Sequence, residues 1–316
     1  MVNRRQAVLG GAAVCVVLAG CTTPPDARAG PAVELAPGVF MVQGTGGAAD
    51  DTPLGRIGNT GFIVGASGVI AIDTGTSYAH GQALLATIRS VTDRPVRLAL
   101  ITHTRPEFLF GGAAFRERGI PIRMHSRTAR LMASRCETCL KTLRQTLGEE
   151  AMRGTTMYKT DQEFDAPHEL DVTGRSVRVL YFGHSSGPGD IAVLDRRSGV
   201  LFAGGLLDAR RIPDIQDSDL LGWKKALLEL RTLALVTAVP GHGPASPAMA
   251  SIASVEHYLA QLELRVRALL AAGASLLNVP DAVELPEFER WDQYDIIHRR
   301  NASIAFLRFE RELMFQ

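Results

Sequence analysis

The chain is poor in cysteine and aromatic residues: 4 Cys, 2 Trp and 6% aromatics in 316 positions. That excludes a small scaffold held by many disulfides. It also lacks charge of one sign, with 34 Lys and Arg against 33 Asp and Glu and a net charge of +1. Non-specific nucleic-acid binding rests on phosphate neutralisation, so this balance argues against a nucleic-acid partner. Beyond the first twenty residues no apolar run is long enough to cross a bilayer. What is present, 46% hydrophobic and 21% charged residues, excludes disorder for the bulk of the chain. The length allows one large domain or two small ones, and 31 glycines suit a loop-rich α/β or β architecture better than a helical bundle.

Residues 1–20 (MVNRRQAVLGGAAVCVVLAG) place Arg4 and Arg5 before a short apolar stretch, the layout of an export signal. The arginine pair favours the twin-arginine route. Leu18-Ala19-Gly20-Cys21 resembles the bacterial lipobox, in which Cys21 is lipidated and becomes the mature N-terminus. The expected protein is therefore exported and lipid-anchored at the periplasmic face, with residues 21–36 as a tether and 37–316 as a single domain. Losing Arg4 and Arg5 leaves 32 basic and 33 acidic residues, a balance of −1. Cys15 leaves with the signal and Cys21 is committed to lipid, so Cys136 and Cys139 remain. They stand three apart in a predicted helix over 127–147, and an oxidising compartment predicts a local disulfide between them.

Residues 38–74 alternate apolar and turn residues, which predicts strands joined by tight turns. Helical spacing follows over 79–92, and Val96–Thr102 is a continuous apolar run suited to a strand buried on both faces. Four further strands are expected at 168–174, 176–183, 190–195 and 199–203. Helices are expected at 218–234, 247–272 and 291–314, with a short strand at Leu235–Val239. The alternation predicts an α/β fold of two similar halves, each a sheet covered by helices on one side.

Three of the eight histidines follow predicted strands. His103 comes after VRLALIT, His184 after VRVLYFG and His242 after ALVTAVPG. Alone, each is a turn residue bonded to a backbone carbonyl. Together they match the need of zinc for three or four donors from different loops, because ligands gather where strands end.

In order along the chain stand Ile72-Asp73-Thr74-Gly75, Thr102-His103-Thr104-Arg105-Pro106-Glu107-Phe108 with Gly111-Gly112, Gly183-His184-Ser185-Ser186-Gly187, Leu201-Phe202-Ala203-Gly204-Gly205 and Pro240-Gly241-His242. The series resembles the landmarks of the metallo-β-lactamase superfamily. The resemblance implies an αββα sandwich of two mixed sheets with helices on the outer faces and a site for one or two zinc ions. His298-Arg299-Arg300-Asn301, Phe306-Leu307, Glu310 and the segment Cys136–Leu140 are similar to Sox-type, quinoprotein-associated zinc metallohydrolases. That likeness implies a partner in a periplasmic quinoprotein dehydrogenase system.

The chain departs from the family pattern where the metal should sit. Arg105 and Phe108 replace histidines, while Glu107 and Gly205 replace aspartates. Two ionic charges and one guanidinium about 4 Å apart repel by roughly 8 kcal/mol at an effective dielectric near 20. A full structural zinc site gains about 10–16 kcal/mol. Three readings follow. In the first, His103, His184 and His242 hold one zinc, with Glu107 as fourth donor or general base, for hydrolysis of an ester, thioester or phosphoester. Arg105 and Asp73 are then further catalytic candidates, Asp73 by ordering its turn beneath the loops. In the second, the chain is a non-catalytic module whose Arg105 and histidines bind an anion or another small ligand. In the third it is an assembly lipoprotein without pocket chemistry. Asp190 and Asp208 are expected to support the loops, with Asp208 able to reach inward. Trp223 and Trp291 are expected in helix packing.

Overall fold

The computed structural model describes residues 30–49 and 55–314. The expected export segment, Cys21 and the first part of the tether lie outside the described residues.

Seven strands form one sheet in chain order: β1 (Ala32–Ala36), β2 (Val39–Val42), β3 (Thr60–Val64), β4 (Val69–Ile72), β5 (Val96–Leu100), β6 (Ile122–His125) and β7 (Gln162–Phe164). The first four pair antiparallel and the last four parallel. A second sheet runs in the order β13 (Ser246–Pro247), β12 (Thr237–Pro240), β11 (Val200–Gly204), β10 (Ile191–Asp195), β9 (Val177–Tyr181) and β8 (His168–Leu170). Here only β11 and β12 are parallel.

Side-chain alternation explains the layering. Ile70 and Ile72 of β4 join Ile191 and Val193 of β10 in a core between the sheets. Val69 and Ala71 face the other way, against Leu84 and Ile88 of α1 (Tyr78–Val91), Phe115 of α3 (Gly112–Glu117) and Met132 of α4 (Ser126–Leu147). On the far side Ala192 and Leu194 meet α5 (Leu220–Arg231), α6 (Ala248–Ala271), α7 (Val279–Ala282) and α8 (Arg299–Met314) through Trp223, Val255, Val279 and Phe306. One further helix, α2 (Pro106–Leu109), follows β5. These layers form the αββα sandwich that the resemblance implied. Both faces of the central strands are buried, which is why they read as continuous apolar runs.

Two expectations change. The fold begins before residue 37, because Ala32–Ala36 pairs with β2 as an edge strand; an edge strand needs only one hydrogen-bonded neighbour and half-exposed side chains. Cys136 and Cys139 are free thiols rather than a disulfide. Helical positions three apart hold Cβ atoms about 5–6 Å from each other, whereas a disulfide needs about 3.5–4.5 Å. Trp223 is a helix-packing residue, its Nε1 donating to the Leu206 carbonyl.

Candidate functional site

The parallel pairs decide where the site lies. β4 and β5 end side by side and deliver Asp73 and His103 to one edge of the sandwich. β11 and β12 do the same for Gly205–Asp208 and His242. The loop from β9 to β10 ends there as well, and the Ile191 amide donates to the Thr102 carbonyl at 2.9 Å, tying the sheets together. A cleft of about 40 Å³ opens at this edge, lined among others by His103, Arg105, Glu107, Asp190, Asp208 and His242. Such a space holds roughly three water molecules.

His103 is buried and packed on Phe108, with ring centroids 4.2 Å apart. Its Nδ1 lies 2.7 Å from the Thr102 hydroxyl, which donates to Asp73 Oδ2 at 2.8 Å. With Asp73 ionised, this order leaves a proton on Nδ1 and a lone pair on Nε2. Burial, then the charge of Arg105, holds the His103 pKa down at about 3, so the ring is neutral. Asp73 does not line this cleft. It sits beneath the loop and also accepts from the Thr102 amide at 2.8 Å. Burial pushes its carboxyl up to about 7. Asp73 is thus a positioning residue that touches His103 through Thr102.

His242 is held from both sides. Nδ1 lies 2.8 Å from Asp208 Oδ1 and Nε2 lies 3.2 Å from Glu107 Oε1. Burial disfavours its charge, but the two carboxylates outweigh that and raise its pKa. An imidazolium donating to both oxygens satisfies this geometry. Glu107 mirrors it: burial opposes ionisation, yet His242 and Arg105 bring its pKa down to about 2. Asp208 therefore reaches inward.

Arg105 caps the start of α2 and stays in the cleft, where it pairs with Asp214; Arg300 of α8 pairs with the same carboxylate. Burial works against the Arg105 charge, and Asp214 overrides it. Arg211 pairs with Asp292. Asp190 accepts from the Ser186 hydroxyl at 2.6 Å, and burial raises its carboxyl to about 6.

His184 does not join the other two histidines. Its ring is exposed, with Nε2 2.7 Å from the Asp217 carbonyl. The cause is a contact distant in sequence: the Asp219 amide at the start of α5 donates to the Ser185 carbonyl at 2.9 Å, drawing the loop toward that helix. Two glycines accommodate the other departures. A Cβ at Gly58 would stand 2.5 Å from Phe108 Cζ, and one at Gly205 would stand 2.6 Å from Asp190 Oδ2. The phenyl ring and the Asp190 carboxylate therefore use space that side chains at 58 and 205 would need.

These residues do not fit the expected zinc ion. Phe108 lies between the two imidazoles, its ring 5.2 Å from that of His242. Both nitrogens of His242 face carboxylates, His184 is turned away, and a guanidinium stands in the cleft. Among the described residues no three His, Cys, Asp or Glu side chains converge as a metal-holding group. Arg211, Asp214, Ser186 and Arg300 escaped sequence reasoning as site residues. Arg211 and Asp214 lie in a loop without a motif, whereas Ser186 and Arg300 stand within motifs whose pattern assigns them no part in the site.

The family model of the metallo-beta-lactamase superfamily matches residues 53–242, and the chain belongs to that superfamily. Solved structures of similar fold include a metallo-beta-lactamase from Pontibacter korlensis, 20% identical with a TM-score of 0.59 over 72% of this chain and 98% of that one. A double mutant of the sec-alkyl sulfatase PisA1 is 17% identical with a TM-score of 0.68, over 89% of this chain and 50% of that one. DIM-1 metallo-beta-lactamase is 14% identical with a TM-score of 0.55, over 72% and 96%. No curated protein matches the chain.

Proposed function

We propose that the protein is a metal-independent member of its superfamily, in which the metal site has become a receptor for a small polar group. The observation that carries this reading is the Arg105–Asp214 pair, standing where the family motif has a metal-ligating histidine. Drug-sized ligands occupy pockets of about 300–1,000 Å³, so a cleft of about 40 Å³ takes a head group rather than a whole β-lactam.

The inventory of hydrogen bonds favours a donor-rich ligand over the expected anion. Arg105 and Arg211 already engage Asp214 and Asp292. Beyond the bonds described above, Glu107, Asp190 and Asp208 each present a second carboxylate oxygen, and His103 presents Nε2. All four accept. A primary ammonium supplies three donors and one positive charge.

Elemental analysis of protein expressed with added zinc and then washed with chelator should find less than a tenth of an ion per chain. One zinc per chain, lost on His103→Ala, would overturn the reading and restore the single-zinc hydrolase. Methylammonium should raise the melting temperature at millimolar concentrations where acetate does not. The reverse order would favour the anion module. Arg4-Arg5 and the lipobox support anchoring through Cys21 at the periplasmic face, and the Sox-type resemblance supports a quinoprotein dehydrogenase system as partner. Palmitate labelling that survives Cys21→Ala would refute the anchor.

A further inference from the structure

A second group of reactive side chains lies outside the cleft, on the helix that covers the first sheet. Met132, Cys136 and Cys139 occupy positions i, i+4 and i+7 of α4, which places them along one stripe of the helix. All three belong to the same core region, together with Met152 and Met157. Met132 and Cys136 are buried, and Cys139 is half-buried, so the stripe opens to solvent at one end.

The two thiols are free and influence each other directly across one turn of the helix. That mutual influence, ahead of every other, lowers the Cys139 pKa to about 7, while it and burial raise that of Cys136. Cys139 is therefore the readier of the two to ionise. The helical spacing that is too wide for a disulfide suits two sulfurs bridged by a single ion. Arg135 lies close enough to favour the thiolate form at both positions.

The geometry points to a binding site for one soft monovalent metal ion, Cu(I), held between Cys136 and Cys139 with the Met132 thioether as a further donor. Soft sulfur ligands select Cu(I) over the harder divalent ions. The ion displaces the thiol protons of both cysteines, which pass to solvent. The resulting bis-thiolate unit carries one negative charge, which Arg135 offsets. No electron is transferred. The site is independent of the zinc question, because none of its donors lines the cleft.

The test is anaerobic competition between the full-length protein and bicinchoninate for Cu(I). The intact protein should remove one Cu(I) per chain from the competitor and gain a near-ultraviolet thiolate-to-metal absorption band. Cys139→Ser, at a half-buried position that tolerates a hydroxyl, should abolish both. Met132→Leu, which keeps the volume, should weaken binding about tenfold. Cys136→Ala checks the second thiolate, with circular dichroism to verify that α4 is intact. His103→Ala should leave the competition unchanged. Failure to remove Cu(I), or removal that persists in Cys139→Ser, overturns the site.

Discussion

Among the largely buried arginine–aspartate pairs of the described residues, two contrast most, one inside the sandwich and one at its open edge. Arg175 donates from Nε and Nη2 to both oxygens of Asp195, at 2.8 and 2.7 Å, and from Nη1 to the Pro37 carbonyl at 2.8 Å. Ser198 adds its amide at 3.0 Å and its hydroxyl to the same carboxylate. The guanidinium is 8% exposed and the carboxylate fully buried, so the pair bolts the β1–β2 turn to the β10–β11 turn. Arg105 and Asp214 are built differently. The guanidinium is 28% exposed, lines a cleft, and shares its partner with Arg300. A fully satisfied pair with no open face holds the fold. A pair with spare capacity beside a cleft is available to a ligand.

Breaking the first pair should produce the largest effect. Arg175→Ala leaves Asp195 buried with only Ser198 to satisfy it, and removal of one partner of a buried pair costs about 3–5 kcal/mol. Urea denaturation should show that loss, and a change below about 1 kcal/mol would show that the pair is not the bolt described here.

A pH experiment separates the two regions by a different route. The Asp73 carboxyl, beneath the cleft, titrates at about 7 in the fold against an ordinary value of 3.8. A raised acid pKa means that the fold favours the protonated form. The stability this contributes is full below the ordinary value and is lost as pH rises through 7. Asp73→Asn cannot ionise, so its stability relative to the parent should improve between pH 4 and pH 8 by about 4 kcal/mol. The charge of Asp190 is one of the causes of the raised Asp73 pKa, so Asp73→Asn also relieves that repulsion, in the same direction. Parallel stability curves for the two proteins would remove the case for a buried, reluctant carboxylate at this position.

The glycine beside Phe108 gives an intermediate effect. Gly58→Ala drives a methyl into the phenyl ring, and overpacking of a tight core costs about 1–3 kcal/mol. Phe108→Leu in the same protein should recover about half of the loss, a coupling that a double-mutant cycle measures. Independent effects would mean that Gly58 is not there to admit the ring.

Much of this architecture was legible in the sequence because burial on both faces writes a continuous apolar run. Ile191–Leu194 of β10 and Leu98–Leu100 of β5 are of that kind, and α1, α4, α5 and α6 fall within two or three residues of their expected ranges. Short elements were not legible. β1 has an exposed Val33 and a glutamate, and α2 has four residues starting at a proline. In the site, the strand-end positions of His103, Glu107 and His242 could be read from local pattern. The outward turn of His184 could not, since it depends on the Asp219 amide, more than thirty positions further on and beyond β10 and β11. Asp214 likewise meets residues 109 positions before it and 86 after it. No local rule of spacing encodes such a meeting.

The second arginine pair should break gently. In Arg105→Ala, Asp214 keeps Arg300 and the amide of Gln216, which donates at 2.9 Å. The stability loss should be about 1 kcal/mol, the scale of a partly exposed charged contact with a remaining partner. The cleft should respond more than the fold does. Arg105 lowers the pKa of both His103 and Glu107, so both should rise when it is removed, and histidine NMR titration reads the first directly. Arg105→Lys keeps the charge while losing the planar fork, and it should hold the His103 pKa near its original value while weakening the link to Asp214. If Arg105→Ala instead destabilises the protein as strongly as Arg175→Ala and leaves His103 unmoved, the two pairs are the same kind of bolt, and the cleft loses its claim to a ligand.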